Sequence, residues 1–155
     1  MARIGALLLI LSLTACGFQP VYGPNGAGRA LQNRVLVDQP NDRSGYLLVQ
    51  QLETRLGRAG DPAFRLAVDL NVHEESLTRG PEGDIRRFHL IGNATYALSD
   101  STTGAVVVTD KLDTFVAYSA TGTTVATLAA RRDAQKRLMI ILADQIVLRL
   151  QASDL

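Results

Sequence analysis

The clearest periodic stretch of the chain lies between Phe64 and His73. There Phe64, Leu66, Val68, Leu70 and Val72 alternate with Arg65, Ala67, Asp69, Asn71 and His73. Successive side chains of a strand point to opposite faces, so a period of two predicts a β-strand with one face buried. Phe88, Leu90, Ala94, Tyr96 and Leu98 fall in or near a second alternating set, after a loop of Gly and Pro at residues 80–84. A turn rich in Ser, Thr, Asp and Gly at residues 99–104 leads into a third strand over residues 105–118, β-branched throughout. Three strands joined by short turns predict an antiparallel meander.

Upstream the period changes. Val35-Leu36-Val37 predicts a short first strand. The turn at residues 40–44 offers Asp42 or Ser44 as a helix N-cap, because either side chain can accept a bond from a free N–H of the first turn. Leu48, Leu52 and Leu56, with Val49 alongside, recur at helical spacing toward a stop at Gly57 or Gly60. After the meander, Thr121 or Thr123 can cap a last helix running to about Gln151. Its core stripe is read as Leu128, Leu138, Met139, Leu142, Ile146 and Leu150. Ile140, Ile141, Val147 and Leu148 lie off that stripe, so the second half is apolar nearly all round. Deep burial between sheet and first helix explains this, and so does a partner surface. The predicted fold is α+β: two helices packed on one face of a four-stranded mixed sheet, in the order β-α-β-β-β-α. The other sheet face carries Arg65, Asp69, Asn71, His73, Asn93 and Thr95 and can stay wet or meet a polar partner.

Residues 1–15 have a different pattern. One basic residue, Arg3, precedes an apolar run from Ile4 to Leu13, then Thr14 and Ala15, then the only cysteine, Cys16. This is the layout of a signal peptide. The run is too short to span a bilayer, which takes about 20 apolar residues. Cleavage before Cys16 by ordinary signal peptidase would put bulky Leu13 where a small residue is needed. Leu13-Thr14-Ala15-Cys16 instead fits a bacterial lipobox, whose cysteine thiol is alkylated with diacylglycerol and becomes the acylated N-terminus. Gly17, where Asp would favour inner-membrane retention, favours the outer membrane. Two or three acyl chains anchor a protein essentially permanently, at about 0.8 kcal/mol per buried methylene. The organisation read from the chain is a signal peptide at 1–15, a lipidated N-terminus and Gly/Pro-rich linker at 16–30, and one domain at 31–155. A lipidated Cys16 leaves no thiol for a disulfide, so the core alone must hold the domain.

Charge and motifs then narrow the function. Once Arg3 leaves with the leader, the 16 basic residues are reduced to the number of the 15 acidic ones. A nucleic-acid binder would carry a basic excess. The two histidines, His73 and His89, stand on neighbouring predicted strands near Glu74 and Glu75, without the spacing or thiolates of a zinc site. No nucleophile elbow, P-loop or dinucleotide fingerprint occurs. No catalysis, metal or cofactor is therefore expected. Basic residues cluster at Arg86-Arg87 and at Arg131-Arg132 with Lys136-Arg137, with Glu82, Asp84 and Asp133 nearby. Such clusters form a solvated face or, as guanidinium forks, bind phosphate.

The octet Cys16-Gly17-Phe18-Gln19-Pro20-Val21-Tyr22-Gly23 resembles the start of mature LptE lipoproteins, with Val21 where Leu is commoner. Mature size, element order, the long last helix and the lipid anchor match that family in layout. The resemblance implies a non-enzymatic outer-membrane lipoprotein on the periplasmic face, bound as a plug to an LptD-like β-barrel, assisting barrel assembly and lipopolysaccharide delivery. It leads to the expectation that Arg86 and Arg87, near one tip of the sheet, contact lipopolysaccharide phosphate or the barrel lumen. An auxiliary lipoprotein of a lipid-transport ABC system is the other function consistent with size and anchor.

Overall fold

The computed structural model describes residues 26–79, 85–120 and 122–153. Cys16, the leader and the octet lie outside the described residues. The elements are α1 (Ala27–Leu31), β1 (Val35–Val37), α2 (Arg43–Leu56), β2 (Phe64–Arg79), β3 (Ile85–Asp100), β4 (Val106–Ser119) and α3 (Thr124–Gln151). The four strands form one sheet in sequence order; β1 runs parallel to β2, and β2, β3 and β4 form the antiparallel meander. The α+β fold read from the pattern is the fold found.

Even-numbered positions of the long strands face the helices. Leu66 on β2, Leu90, Ala94, Tyr96 and Leu98 on β3, and Leu112, Val116 and Tyr118 on β4 are all buried. Against them α3 sets Leu138, Met139, Leu142, Ala143, Ile146 and Leu150, and α2 sets Leu48, Leu52 and Leu56. Gly92 marks the tightest approach of helix to sheet. A Cβ there would stand 2.9 Å from Leu142 Cδ1 and 3.2 Å from Leu138 Cδ2, so only hydrogen leaves the leucines room.

Local chemistry sets the boundaries. Asp42 caps α2, its Oδ1 accepting from Gly45 N at 2.7 Å; Ser44 is instead buried and accepts from Gln135 Nε2 at 2.7 Å. Thr123 caps α3, its Oγ1 accepting from Ala126 N at 3.2 Å. Helix α2 stops at Gly57, whose φ of 76° suits glycine and whose missing side chain makes room for Asn33. Asn33 N donates in turn to Leu56 O at 2.7 Å, tying the end of α2 to the turn before β1. In the β3–β4 turn, Asp100 Oδ1 accepts from the N–H groups of Thr102 and Thr103 and from Thr103 Oγ1. Those bonds favour the ionised form and hold the carboxyl below its ordinary value.

Two expectations change. Irregular chain through Arg29 gives way to the helical turn α1, because Leu31 at its end is fully buried and α1 packs against α3. Leu128 is not core: it is 46% exposed. The reason is length. At about 1.5 Å per residue, the 14 residues of α2 reach about 21 Å and the 28 of α3 about twice that. The two helices run parallel, with Ser44 beside Gln135 and Arg55 paired to Asp144, so the first turns of α3 overhang the start of α2. Of the residues off the stripe, Val147 is buried, Ile140 and Ile141 half-buried, and Leu148 exposed. Burial accounts for three of the four.

Candidate functional site

The overhang creates a groove. One wall is α3 from Leu128 to Gln135, and the opposite wall is the start of α2 at Asp42–Ser44. Val72, His73 and Glu74 on β2 and Leu90 on β3 make the floor, and the open cavity is about 510 Å³. That is the size range of small-molecule sites, about 300–1,000 Å³. Toward the tip, Phe88 and Tyr118 stack with ring centroids 5.3 Å apart.

A three-membered polar network stiffens the floor. Tyr118 OH donates to Glu74 Oε2 at 2.6 Å, and Arg131 Nε lies 3.0 Å from the same oxygen. Burial pushes the Tyr118 phenol up to about 12, helped by the hydrogen bond to the Glu74 carboxylate. Tyr96 occupies the equivalent place lower on the sheet. Its hydroxyl lies 3.5 Å from Asp110 Oδ2, and burial first, then the Asp110 charge, raise it to about 12. Asp110 is held below its ordinary value, chiefly by Arg149, whose Nη1 lies 2.6 Å away.

The basic cluster on α3 therefore divides. Arg131 is committed to Glu74, and Arg137 to Asp133 at 2.8 Å, one turn away. Arg132 on one wall and Arg43 on the other line the groove, and neither has an ion-pair partner among the described residues. Sequence reading reached Arg132 within its cluster. It missed Arg43, which is isolated in the sequence and joins the site only through the parallel packing of α2 on α3.

The two arginines expected at the tip of the sheet stand at the start of β3, outside the groove. Arg86 is the second residue of β3. Arg87 follows it, exposed, opposite Thr78 and Ser119 and in the same alternation as His89 and Ile91, on the face away from the helices. Register irregularities between Ser76 and Arg79 bend β2 beside it. On that open face His73 pairs across from Ile91, and His89 across from Glu75. His73 Nε2 is 3.8 Å from Glu75 Oε1, while the His89 ring packs on Phe115 with centroids 4.4 Å apart. No three metal-ligating side chains converge among the described residues. The open face is polar where Arg65, Asp69, Asn71, Asn93 and Thr95 stand, but it also exposes Phe115. The β-branched run through β4 hid the alternation that puts Phe115 outward.

Among the described residues no helix is long and apolar enough to cross a membrane. A family model described as lipopolysaccharide-assembly, LptE, matches residues 32–150. No curated protein sequence matches the chain. Solved structures do. A protein of Caulobacter crescentus assigned as a lipoprotein is similar at 27% identity, covering 81% of this chain and 93% of its own, with a TM-score of 0.66. Lipoprotein B of Nitrosomonas europaea shares the fold at 16% identity over 77% of this chain and 82% of its own, with a TM-score of 0.59. The rare lipoprotein B of Shewanella oneidensis does so at 18% identity over 77% and 92%, with a TM-score of 0.56.

Proposed function

The chain belongs to the lipopolysaccharide-assembly family LptE, and from that we propose that it is an outer-membrane lipoprotein, anchored through Cys16 on the periplasmic face, that plugs an LptD-like β-barrel and serves lipopolysaccharide delivery. The observation that carries this reading is the family match across nearly the whole domain, residues 32–150. The lipobox ending at Cys16 and the octet behind it agree with it. The family is one of non-enzymatic assembly lipoproteins, and the absence of a catalytic motif in the sequence is compatible with that role.

Arg86 and Arg87 are the proposed contacts to lipopolysaccharide phosphate or to the barrel lumen. Arg87 supports this role by being exposed at the hairpin end of the sheet.

The test is affinity capture of the full-length chain from detergent-solubilised envelope. Recovery of a large β-barrel is expected, together with loss of surface lipopolysaccharide when the protein is depleted. Recovery of a permease and ATPase instead would replace this reading with the lipid-transport alternative. Cys16→Ser should abolish acylation, read by mass spectrometry of the mature N-terminus. Exchanging Arg86 and Arg87 for Glu should lower complex yield or lipopolysaccharide binding; if both are unchanged, the tip assignment fails.

A further inference from the structure

The two edges of the sheet are finished differently. Phe64 N donates to Arg34 O at 3.0 Å and Leu66 O accepts from Asp38 N at 2.9 Å, so even-numbered residues of β2 turn their backbone groups toward β1. Backbone groups alternate sides along a strand. Carried across the register, the odd-numbered residues of β4 therefore face the far edge. That edge is guarded: Arg149 Nη1 donates to Lys111 O at 3.2 Å, and Arg137 Nη2 to Ala117 O at 3.4 Å. The near edge is not. β1 covers β2 only from Phe64 to Leu66, while β2 runs on to Arg79. Val68, Leu70 and Val72 thus offer N–H and C=O groups to an edge that no described strand covers. Lysine, proline and bulges normally block such an edge. From Ala67 to Ser76 the strand has no lysine, arginine or proline, and its register irregularities begin only at Ser76.

A second cavity, of about 290 Å³, opens along this edge between α2 and β2. Leu48, Leu52, Val68 and Leu70 give it apolar walls. Asp42 and Asp69 also line it, and neither is in an ion pair among the described residues. A strand added here would send alternate side chains into the cavity and the others to the open face beside Asp69. In such strand addition the main-chain bonds supply affinity and the side-chain pockets specificity. Charge chooses the occupant. A second copy of this edge would set Asp69, Glu74 and Glu75 against the same acids, and like charges on paired strands repel. Residues 16–25 of this chain carry no charged side chain to answer Asp69. We propose that the β2 edge beyond Leu66 takes up an extended segment of a partner protein in which apolar residues alternate with Lys or Arg. The edge and the cavity carry this without the barrel reading.

The test uses the full acylated chain in non-ionic detergent, with peptide binding followed by fluorescence anisotropy. The probe is a labelled octapeptide of alternating valine and lysine, and the control replaces each lysine by glutamate. The lysine peptide should bind at least tenfold more tightly than the control. N-methylating either its valines or its lysines should abolish binding in one case only, because only alternate N–H groups of an added strand face its neighbour. V68P removes a donor from the open edge and spares the β2–β3 ladder, so it should weaken binding at least tenfold. D69K, at an exposed position, should weaken it severalfold without moving the thermal midpoint, and it decides the matter if V68P does not fold. Equal binding of the two peptides, or none of either, overturns the proposal. So does tolerance of both N-methylated forms, or an affinity unchanged by D69K. A dimer in size-exclusion chromatography that V68P dissolves would give the edge to a second copy instead, and likewise overturns it.

Discussion

The two halves of α3 obey opposite rules. From Ala134 to Leu150 the helix sinks a dense face into the domain, against α2, the sheet and Leu31 of α1. From Thr124 to Arg132 the same helix runs past the start of α2, touching the domain through Ala130 and Arg131, and it leaves Val125 and Leu128 in solvent. Both halves contain leucine and valine at helical spacing. What differs is the length of the neighbour: α2 ends its support where its own N-cap, Asp42, stands. Apolar residues at helical period therefore mark a core only where a second element reaches them.

The largest break in this contrast should come from Leu142→Ala. Leu142 is fully buried, and truncation should cost about 2–5 kcal/mol in urea unfolding, while Leu128→Ala on the overhang should cost no more than about 0.5 kcal/mol. Gly92→Val attacks the closed half from the sheet side. Its added atoms meet Leu142 and Leu138, and the penalty should be about 1–3 kcal/mol. Near-equal effects at positions 142 and 128 would erase the distinction.

A smaller effect separates the halves by pH. Tyr96 and Tyr118 both ionise near 12 in the folded chain rather than at 10. A phenol whose value is raised by folding contributes stability that is complete below pH 10 and is lost as pH climbs to 12. The thermal midpoint should therefore fall across that window. Tyr118→Phe should remove the part owed to the groove floor and lower stability near neutrality by about 1 kcal/mol, the usual net value of one hydrogen bond. Tyr96→Phe should remove the other part. A further small effect belongs to Arg149→Ala, which breaks an exposed pair with Asp110: the thermal midpoint should shift only slightly, and less in high salt.

Much of the fold was legible because its signals are local. Alternation from Phe64 to Val72, leucines at spacing four in α2, and Asp42 and Thr123 as caps each need only a few neighbouring residues to be read. What escaped depended on distant partners. α1 is helical because Leu31 finds a pocket, and nothing in residues 27–31 announces that pocket. Leu128 reads as core until the length of α2 is compared with that of α3. The groove joins Arg43 to Arg132 across most of the chain, a pairing no local period encodes. The two touching rings of the open face, His89 and Phe115, escaped for the same reason: the register that joins them belongs to the sheet.

The bond from Asn33 N to Leu56 O, with α1 packed on α3, gives the molecule a polarity. The described chain begins at the end where α2 finishes, while the groove opens where α2 starts, about 21 Å away along the helix. If the proposed anchor at Cys16 holds the chain, a pull entering at residue 26 would reach the contact of α1 with α3 first, far from the overhang. Load would then enter at one end of α2 while the groove opens at the other.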